Sequence, residues 1–108
     1  MFIGKVVGTV VSSIKDPKVE GLKFQIVQEL DEQNRPRNKY VVAADTIGAG
    51  QGDLVLFAQG SSARQTTATD GRPIDAAIFA VIDSWDVDDS LVYQKEGLET
   101  FARSPAEE

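Results

Sequence analysis

Hydrophobic and polar residues alternate along several short stretches of the chain, which is the pattern of half-buried β-strands. The clearest case is Leu22, Phe24 and Ile26, which alternate with Lys23 and Gln25. The apolar face of this strand is predicted to belong to the core. Stretches rich in β-branched and aromatic residues predict further strands at residues 3–11, 40–45, 54–59, 78–87 and 91–94.

Loops and short helical turns separate the predicted strands. Proline, glycine and polar residues mark loops at residues 12–21, 31–38 and 46–52. Helical turns are predicted at residues 61–64 and 98–103, while residues 75–77 either cap one turn of helix or begin a strand. Many short strands with only fragments of helix predict an all-β fold, a small barrel formed as one domain by residues 1–96.

Two glycines interrupt the first predicted strand, and they are informative about its shape. Gly4 and Gly8 lie among β-branched residues. A glycine inside a strand indicates a bulge, a sharp bend or the close approach of another backbone. A small, tightly curved barrel needs such points, so the glycines agree with the predicted fold.

The composition excludes several kinds of chemistry. The 108 residues include no cysteine and no histidine. Disulfides, thiolate metal sites, cysteine nucleophiles, Ser-His-Asp catalysis and imidazole ligands are therefore excluded. No apolar run approaches the roughly 20 residues of a membrane span, and the N-terminus lacks the pattern of a secretory signal. We therefore expect a cytoplasmic protein.

The net charge of −6 arises entirely at the C-terminal end of the chain. Residues 83–108 contain eight acidic residues against Lys95 and Arg103, whereas residues 1–82 are neutral overall. An acidic protein with scattered basic residues is not expected to bind nucleic acid. Residues 97–108 are interpreted as an acidic, flexible tail.

Glycine-rich and serine-rich loops are the candidate functional segments. Gly48, Gly50 and Gly52 have the spacing G-x-G-x-G before a strand, whereas a dinucleotide site needs G-x-G-x-x-G before a helix. These glycines therefore indicate a structural turn. Ser61 and Ser62 have no histidine to act as a base. A surface loop that forms intermolecular hydrogen bonds is the better interpretation of this pair.

Three segments together resemble one family of proteins. They read GKVVGTVVSSIKDPKVEGLKF at residues 4–24, VAADTIGAGQGDLVLFAQGSSARQT at residues 42–66 and PIDAAIFAVID at residues 73–83. In this order they resemble the pentameric vertex proteins of bacterial microcompartment shells, which include carboxysome and ethanolamine-utilisation vertex subunits. The resemblance implies a five-stranded OB-like barrel that assembles as a cyclic pentamer and caps the five-fold vertices of the shell. It implies no catalysis and no cofactor.

The resemblance also implies partners and contact residues. The chain is expected to form a homopentamer and to meet hexagonal shell proteins, either hexamers or pseudohexamers, in a bacterial microcompartment shell in the cytoplasm. The residues expected to contact these partners are Ser13, Ile14, Lys15, Gly60, Ser61, Ser62 and Ala63.

Two points remain open at the level of the sequence. Arg64 is expected to form an ion pair, either within its loop or between subunits of the pentamer. The alternative function is an OB-type binding module for single-stranded nucleic acid or a small ligand. A groove that follows phosphates needs clustered lysine and arginine, and the basic residues here are scattered.

Overall fold

The computed structural model describes residues 1–96, which form seven β-strands and two short 3-10 helices. The strands are β1 (Phe2–Val10), β2 (Lys23–Leu30), β3 (Pro36–Asp45), β4 (Leu54–Gln59), β5 (Ala76–Val81), β6 (Ser84–Val87) and β7 (Ser90–Gln94). The 3-10 helices are Pro17–Val19 and Gly60–Arg64. The helical turn expected at residues 98–103 and the tail expected at residues 97–108 lie outside the described residues.

Five of the strands close into a barrel in the order β1-β2-β3-β5-β4. Neighbouring strands are antiparallel except β3 and β5, which pair in parallel. Because the sheet closes on itself, the barrel has no open edge. The prediction of a small, all-β, five-stranded barrel is confirmed.

Hydrophobic side chains fill the barrel and also cover parts of its outer wall. The fully buried apolar side chains of the interior include Phe57, Ile78, Val6, Val27 and Val55. One outer cluster includes a residue of the second 3-10 helix, and its buried members are Ala44, Ala63, Ile74 and Ala77. The other lies against the β6–β7 ribbon, and its buried members are Leu30, Leu54 and Ile82.

The predicted orientation of β2 is wrong. Phe24 and Ile26 are only half-buried, whereas Gln25 and Val27 on the opposite face are fully buried. Phe24 packs in the outer cluster, not in the barrel interior. Both faces of β2 meet apolar neighbours, so the alternation of residues places a strand there but does not determine which face points inward.

Three predicted boundaries also differ from the structure. The strand expected at residues 78–87 is two strands, β5 and β6, because the chain leaves the barrel at Ile82 and Asp83. Residues 75–77 form no helical turn, and Ala76 begins β5. The loop expected at residues 31–38 ends earlier because the Asp31 carboxylate accepts hydrogen bonds from the backbone N–H groups of Gln33 and Arg35 and tightens the turn.

The glycines of β1 lie at a bulge and at close contacts, as the sequence predicts. The register between β1 and β2 shifts between Val6 and Gly8, which is a β-bulge. Before the bulge, Gly4 lies against the side chains of Val27 and Phe57 inside the barrel. After it, Gly8 lies against Ile26 on the outer wall. The bulge thus bends β1 around the narrow barrel.

Candidate functional site

The loop after β1 carries the first group of expected contact residues, and all of them are exposed. The exposed fraction of Ile14 is 91%, and Ser13 and Lys15 are also exposed. The loop folds on itself because the Ser12 hydroxyl donates to the Ile14 carbonyl and the Lys15 ammonium donates to the Ser12 carbonyl. These hydrogen bonds present an apolar side chain to solvent on a defined loop.

The helical turn expected at residues 61–64 is confirmed as the 3-10 helix Gly60–Arg64. Gly60 has a φ of +70°, a value that favours glycine, and it turns the chain from β4 into the helix. Ser61 and Ser62 are exposed. The helix therefore presents two hydroxyl groups at the surface.

Ala63 does not lie on the exposed surface that the sequence analysis assigned to it. Its exposed fraction is 0% within the single chain, and it packs in the outer cluster with Ala44, Ile74 and Ala77. One side of a short helix must face the wall it covers, and Ala63 occupies that side. Ala63 is therefore not a surface contact residue. Its side chain instead anchors the helix to the outer wall of the barrel.

A threonine that sequence reasoning missed holds the same helix in place. Thr69 is fully buried, and its hydroxyl donates to the Ala63 carbonyl at 2.7 Å. The hydroxyl groups of Thr66 and Thr69 lie 2.7 Å apart, and the Thr69 N–H donates to the Thr66 hydroxyl. The spacing of two threonines three residues apart could have indicated this hydrogen-bonded turn, because threonine hydroxyls commonly bond to nearby backbone groups.

Arg64 does not form the expected ion pair within its loop. Its Nη1 donates to the Ile74 carbonyl at 2.9 Å. Among residues 1–96 the ion pairs are formed by Arg35, Arg37 and Lys39 instead. The long side chain of Arg64 thus bridges the 3-10 helix to the segment that leads into β5.

The β1–β2 and β4–β5 connections, which carry the expected contact residues, contact each other near residues 19–20. Val19, in the helix Pro17–Val19, packs against the outer cluster that contains Ala63. Arg72 joins the same segments, since its Nη1 donates to the Glu20 carbonyl at 2.9 Å. Two connections that are far apart in the sequence are therefore held together at these residues.

The glycine-rich turn after β3 is a structural turn. Gly48 and Gly52 have φ values of +81° and +88°, which side chains rarely adopt. Gly50 has no such φ, and its N–H donates to the Asp53 carboxylate at 2.8 Å. Asp45 Oδ1 accepts hydrogen bonds from the backbone N–H groups of residues 47–49. Partial burial raises the pKa of Asp45, but these bonds outweigh it and hold the pKa below its ordinary value.

A buried glutamine connects this turn to the barrel, and the sequence analysis did not identify it. Gln25 Nε2 donates to the Ala49 carbonyl at 2.9 Å and to Asp45 Oδ2 at 3.3 Å. The Thr9 hydroxyl donates to Gln25 Oε1 at 2.8 Å. Gln25 is buried without penalty because its polar atoms are paired.

An apolar patch lies exposed on the wall where β2 runs between β1 and β3, and on the turn that follows β3. We call it the outer patch, and its members are Val10, Tyr40, Val42 and Ile47. Their exposed fractions range from 39% to 57%, and the half-buried Ile26 of β2 pairs with Val42. An exposed group of large apolar side chains indicates an interaction surface.

Within the part of the chain that the structure describes, no group of acidic residues is arranged to hold a metal ion. No helix in that part is long and apolar enough to cross a membrane. The features available for function are therefore the outer patch, the β1–β2 and β4–β5 connections and the cationic side chains around them.

This chain is similar to proteins of one known family. The model of the family "Ethanolamine utilisation protein EutN/carboxysome" matches residues 1–83. The carboxysome shell vertex protein CcmL of Gloeobacter violaceus is 47% identical over 96 residues, which cover 89% of this chain and 96% of that protein. The microcompartment shell vertex protein GrpN of Rhodospirillum rubrum is 44% identical over 78% of this chain and 94% of its own length.

Solved structures show the same similarity in three dimensions. The structure of Gloeobacter violaceus CcmL superimposes with a TM-score of 0.84 and covers 88% of this chain and 98% of its own. The structure of GrpN, a pentameric microcompartment shell protein, superimposes with a TM-score of 0.73 at 40% identity, over 81% of this chain and all of its own. The chain therefore belongs to the family of ethanolamine-utilisation EutN and carboxysome proteins.

Proposed function

We propose that this chain is a structural subunit of a bacterial microcompartment shell, and that its pentamers cap the five-fold vertices of that shell. One observation carries the proposal: proteins named as shell vertex proteins match this chain over as much as 96% of their own length. One of the matching structures is described as pentameric. A match that includes the whole barrel supports the same manner of assembly.

The outer patch supplies a surface suited to ring formation. In a ring, each subunit uses one surface to contact a different surface of its neighbour. The outer patch is apolar and lies on strands held rigidly in the closed barrel. We assign it to the contact between neighbouring subunits, where burial of Val42 and Tyr40 would stabilise the ring.

The function of such a ring is geometric. Hexagonal tiles alone form a flat layer, and a closed shell needs five-fold positions where the layer curves. A pentameric ring fills such a position without acting on a substrate. We accordingly propose no catalytic role and no cofactor, and we place the protein in a shell within the bacterial cytoplasm.

The β1–β2 and β4–β5 connections carry the proposed contact with hexagonal shell proteins. The residues are Ser13, Ile14, Lys15, Gly60, Ser61 and Ser62, all of them exposed. The serine hydroxyls and the glycine backbone are able to form hydrogen bonds at close range. Ala63 contributes indirectly, because it fixes the helix that presents the serines.

The strand order supports the proposed domain organisation. Residues 1–96 form the folded unit, consisting of the barrel and the β6–β7 ribbon. Residues 97–108 are proposed to be an acidic tail that is dispensable for assembly.

The test is co-expression of variants with hexagonal shell proteins, followed by purification of closed shells. Ser62→Glu places a charge at the proposed contact, and we expect a normal free oligomer that is depleted from shells. Gln33→Glu adds the same charge at an exposed position between β2 and β3, and this variant should be incorporated into shells normally. Ala63→Glu buries an unpaired charge and should prevent folding of the free chain.

Two results would contradict the assignment of these loops. Incorporation of Ser62→Glu at the level of Gln33→Glu would remove the helix Gly60–Arg64 from the shell contact. Loss of the free oligomer in Ser62→Glu would instead place the helix between subunits of the ring.

A further inference from the structure

A cavity beside the second 3-10 helix is surrounded by positive charge. Its volume is about 410 Å³, and its lining residues are Lys18, Arg64, Gly71, Arg72 and Pro73. Three of these five residues are cationic and none is acidic. Lys18 belongs to the β1–β2 connection, and Arg64 and Arg72 both belong to the β4–β5 connection, so only the folded chain brings all three together. Residues 1–82, which include the whole lining, are neutral overall, so the three cations are a local concentration of positive charge.

The two guanidinium groups are held in place by backbone carbonyls, not by carboxylates. Arg64 Nη1 donates to Ile74 O and Arg72 Nη1 donates to Glu20 O, both at 2.9 Å. Each guanidinium has five N–H donors, so donors remain for another partner. Both arginines are half-buried, which reduces the entropy lost when they bind a ligand.

Among residues 1–96, the cations around the cavity form no ion pair with a carboxylate. Within residues 1–96, the ion pairs join Arg35 to Asp31 and join Arg37 and Lys39 to Glu29. Neither arginine of the cavity takes part in them. Like charges around one space repel one another, and an anion bound between them would relieve that repulsion.

From this geometry we infer that the cavity is a binding site for a small oxyanion of the phosphate type, either inorganic phosphate or a phosphomonoester. The planar guanidinium matches the spacing of phosphate oxygens and can bind two of them at once. The space is open to solvent on one side, and its volume of about 410 Å³ is large enough to admit a phosphate group. The inference goes beyond the proposed shell function and does not depend on it, because one chain supplies every residue.

The neighbouring cavity indicates which phosphomonoesters would fit. It shares Arg64, has a volume of about 280 Å³, and is lined also by Gln65, Thr66, Thr67 and Asp70. Amide and hydroxyl groups suit the hydroxyl groups of a small polyol. The carboxylate of Asp70 disfavours a second negative charge on the ligand. We therefore expect a ligand with one phosphate group and a neutral, hydroxyl-bearing remainder.

Binding is tested by equilibrium dialysis of the assembled protein against inorganic phosphate and against glycerol phosphate, at constant low ionic strength. We expect saturable binding of both, with glycerol phosphate binding more tightly. Arg72→Gln should weaken binding by about tenfold or more, since a hydrogen bond to a charged group commonly contributes that factor. Lys18→Gln changes only an exposed side chain, so it should fold normally and also weaken binding.

Lys5→Gln is the matched control, because it removes one exposed positive charge from β1, away from the cavity. It should bind phosphate as the unsubstituted protein does. Three results would overturn the inference: no saturable phosphate binding, equal affinities in Lys18→Gln, Arg72→Gln and Lys5→Gln, or equal binding of glycerol and glycerol phosphate.

Discussion

The close approach of three strands at Gly4 allows a quantitative test of the barrel. A methyl group added at this residue would lie 2.4 Å from Val27 Cγ1 and 2.8 Å from Phe57 Cε1. It would also lie 3.0 Å from the Gln28 carbonyl oxygen. Val27 and Phe57 are fully buried in the interior, so neither can move aside into solvent. Gly4→Ala should therefore strain the barrel at its tightest point.

Gly8 provides a matched control on the same strand. A methyl group there would have its nearest neighbour, Ile26 Cδ1, at 3.4 Å, which is close to ordinary contact. Both substitutions gain about 0.4–1 kcal/mol because alanine restricts the unfolded chain. Only Gly4→Ala has the cost of overpacking, which is about 1–3 kcal/mol in a dense core. We expect Gly4→Ala to be less stable than Gly8→Ala by about 2–3 kcal/mol, near the upper end of that range because both neighbours are immobile.

The assay is urea denaturation of both variants at one protein concentration, since the stability of an oligomer depends on concentration. Light scattering beforehand establishes that both variants have the same mass. Free energies of unfolding that agree within about 0.5 kcal/mol, the usual effect of a neutral substitution, would show that β1, β2 and β4 are farther apart than the structure indicates.

Three further predictions follow from the packing, the charges and the chain end. Phe57→Ala should lower the free energy of unfolding by about 3–5 kcal/mol, as for a fully buried phenylalanine. Phe24→Ala should lower it by only about 1–2 kcal/mol, because Phe24 is half-buried. Equal urea midpoints for the two variants would support the orientation of β2 predicted from the sequence. The pKa of Asp45 is lowered in the folded state, so its stabilising effect is present above about pH 4 and lost as the pH falls through the folded pKa. Urea midpoints should thus fall less steeply below about pH 4 in Asp45→Asn than in the unsubstituted protein, and parallel curves would contradict this. Deletion of residues 97–108 should leave the number of subunits in the oligomer unchanged, as measured by light scattering. Dissociation of the oligomer would place this segment in the subunit contact.

Local patterns were sufficient to predict most of the strands, because alternation and β-branched residues are properties of neighbouring positions. Strand β4 was predicted with its observed bounds, residues 54–59. The orientation of β2 could not be predicted, because Phe24 on the outer wall and Val27 in the interior are both apolar. The burial of Gln25 depends on Ala49 and Asp45, which the sequence alone does not place beside it.

The site was less predictable than the fold, since it depends on contacts between distant segments. The motif around Ser61 and Ser62 suggested an exposed loop, and both serines are exposed. The same motif did not show that Ala63 is buried, because its neighbours Ile74 and Ala77 come later in the chain. The cationic cavity likewise combines residues of the β1–β2 and β4–β5 connections.

The mass of the purified protein in solution tests the central claim most directly. Native mass spectrometry or light scattering across a range of concentrations would measure the number of subunits. The proposed vertex function predicts a stable species of five times the protomer mass of 11.7 kDa. A stable monomer, or a closed assembly with any other number of subunits, would contradict the claim that this barrel forms the five-fold vertex of a shell.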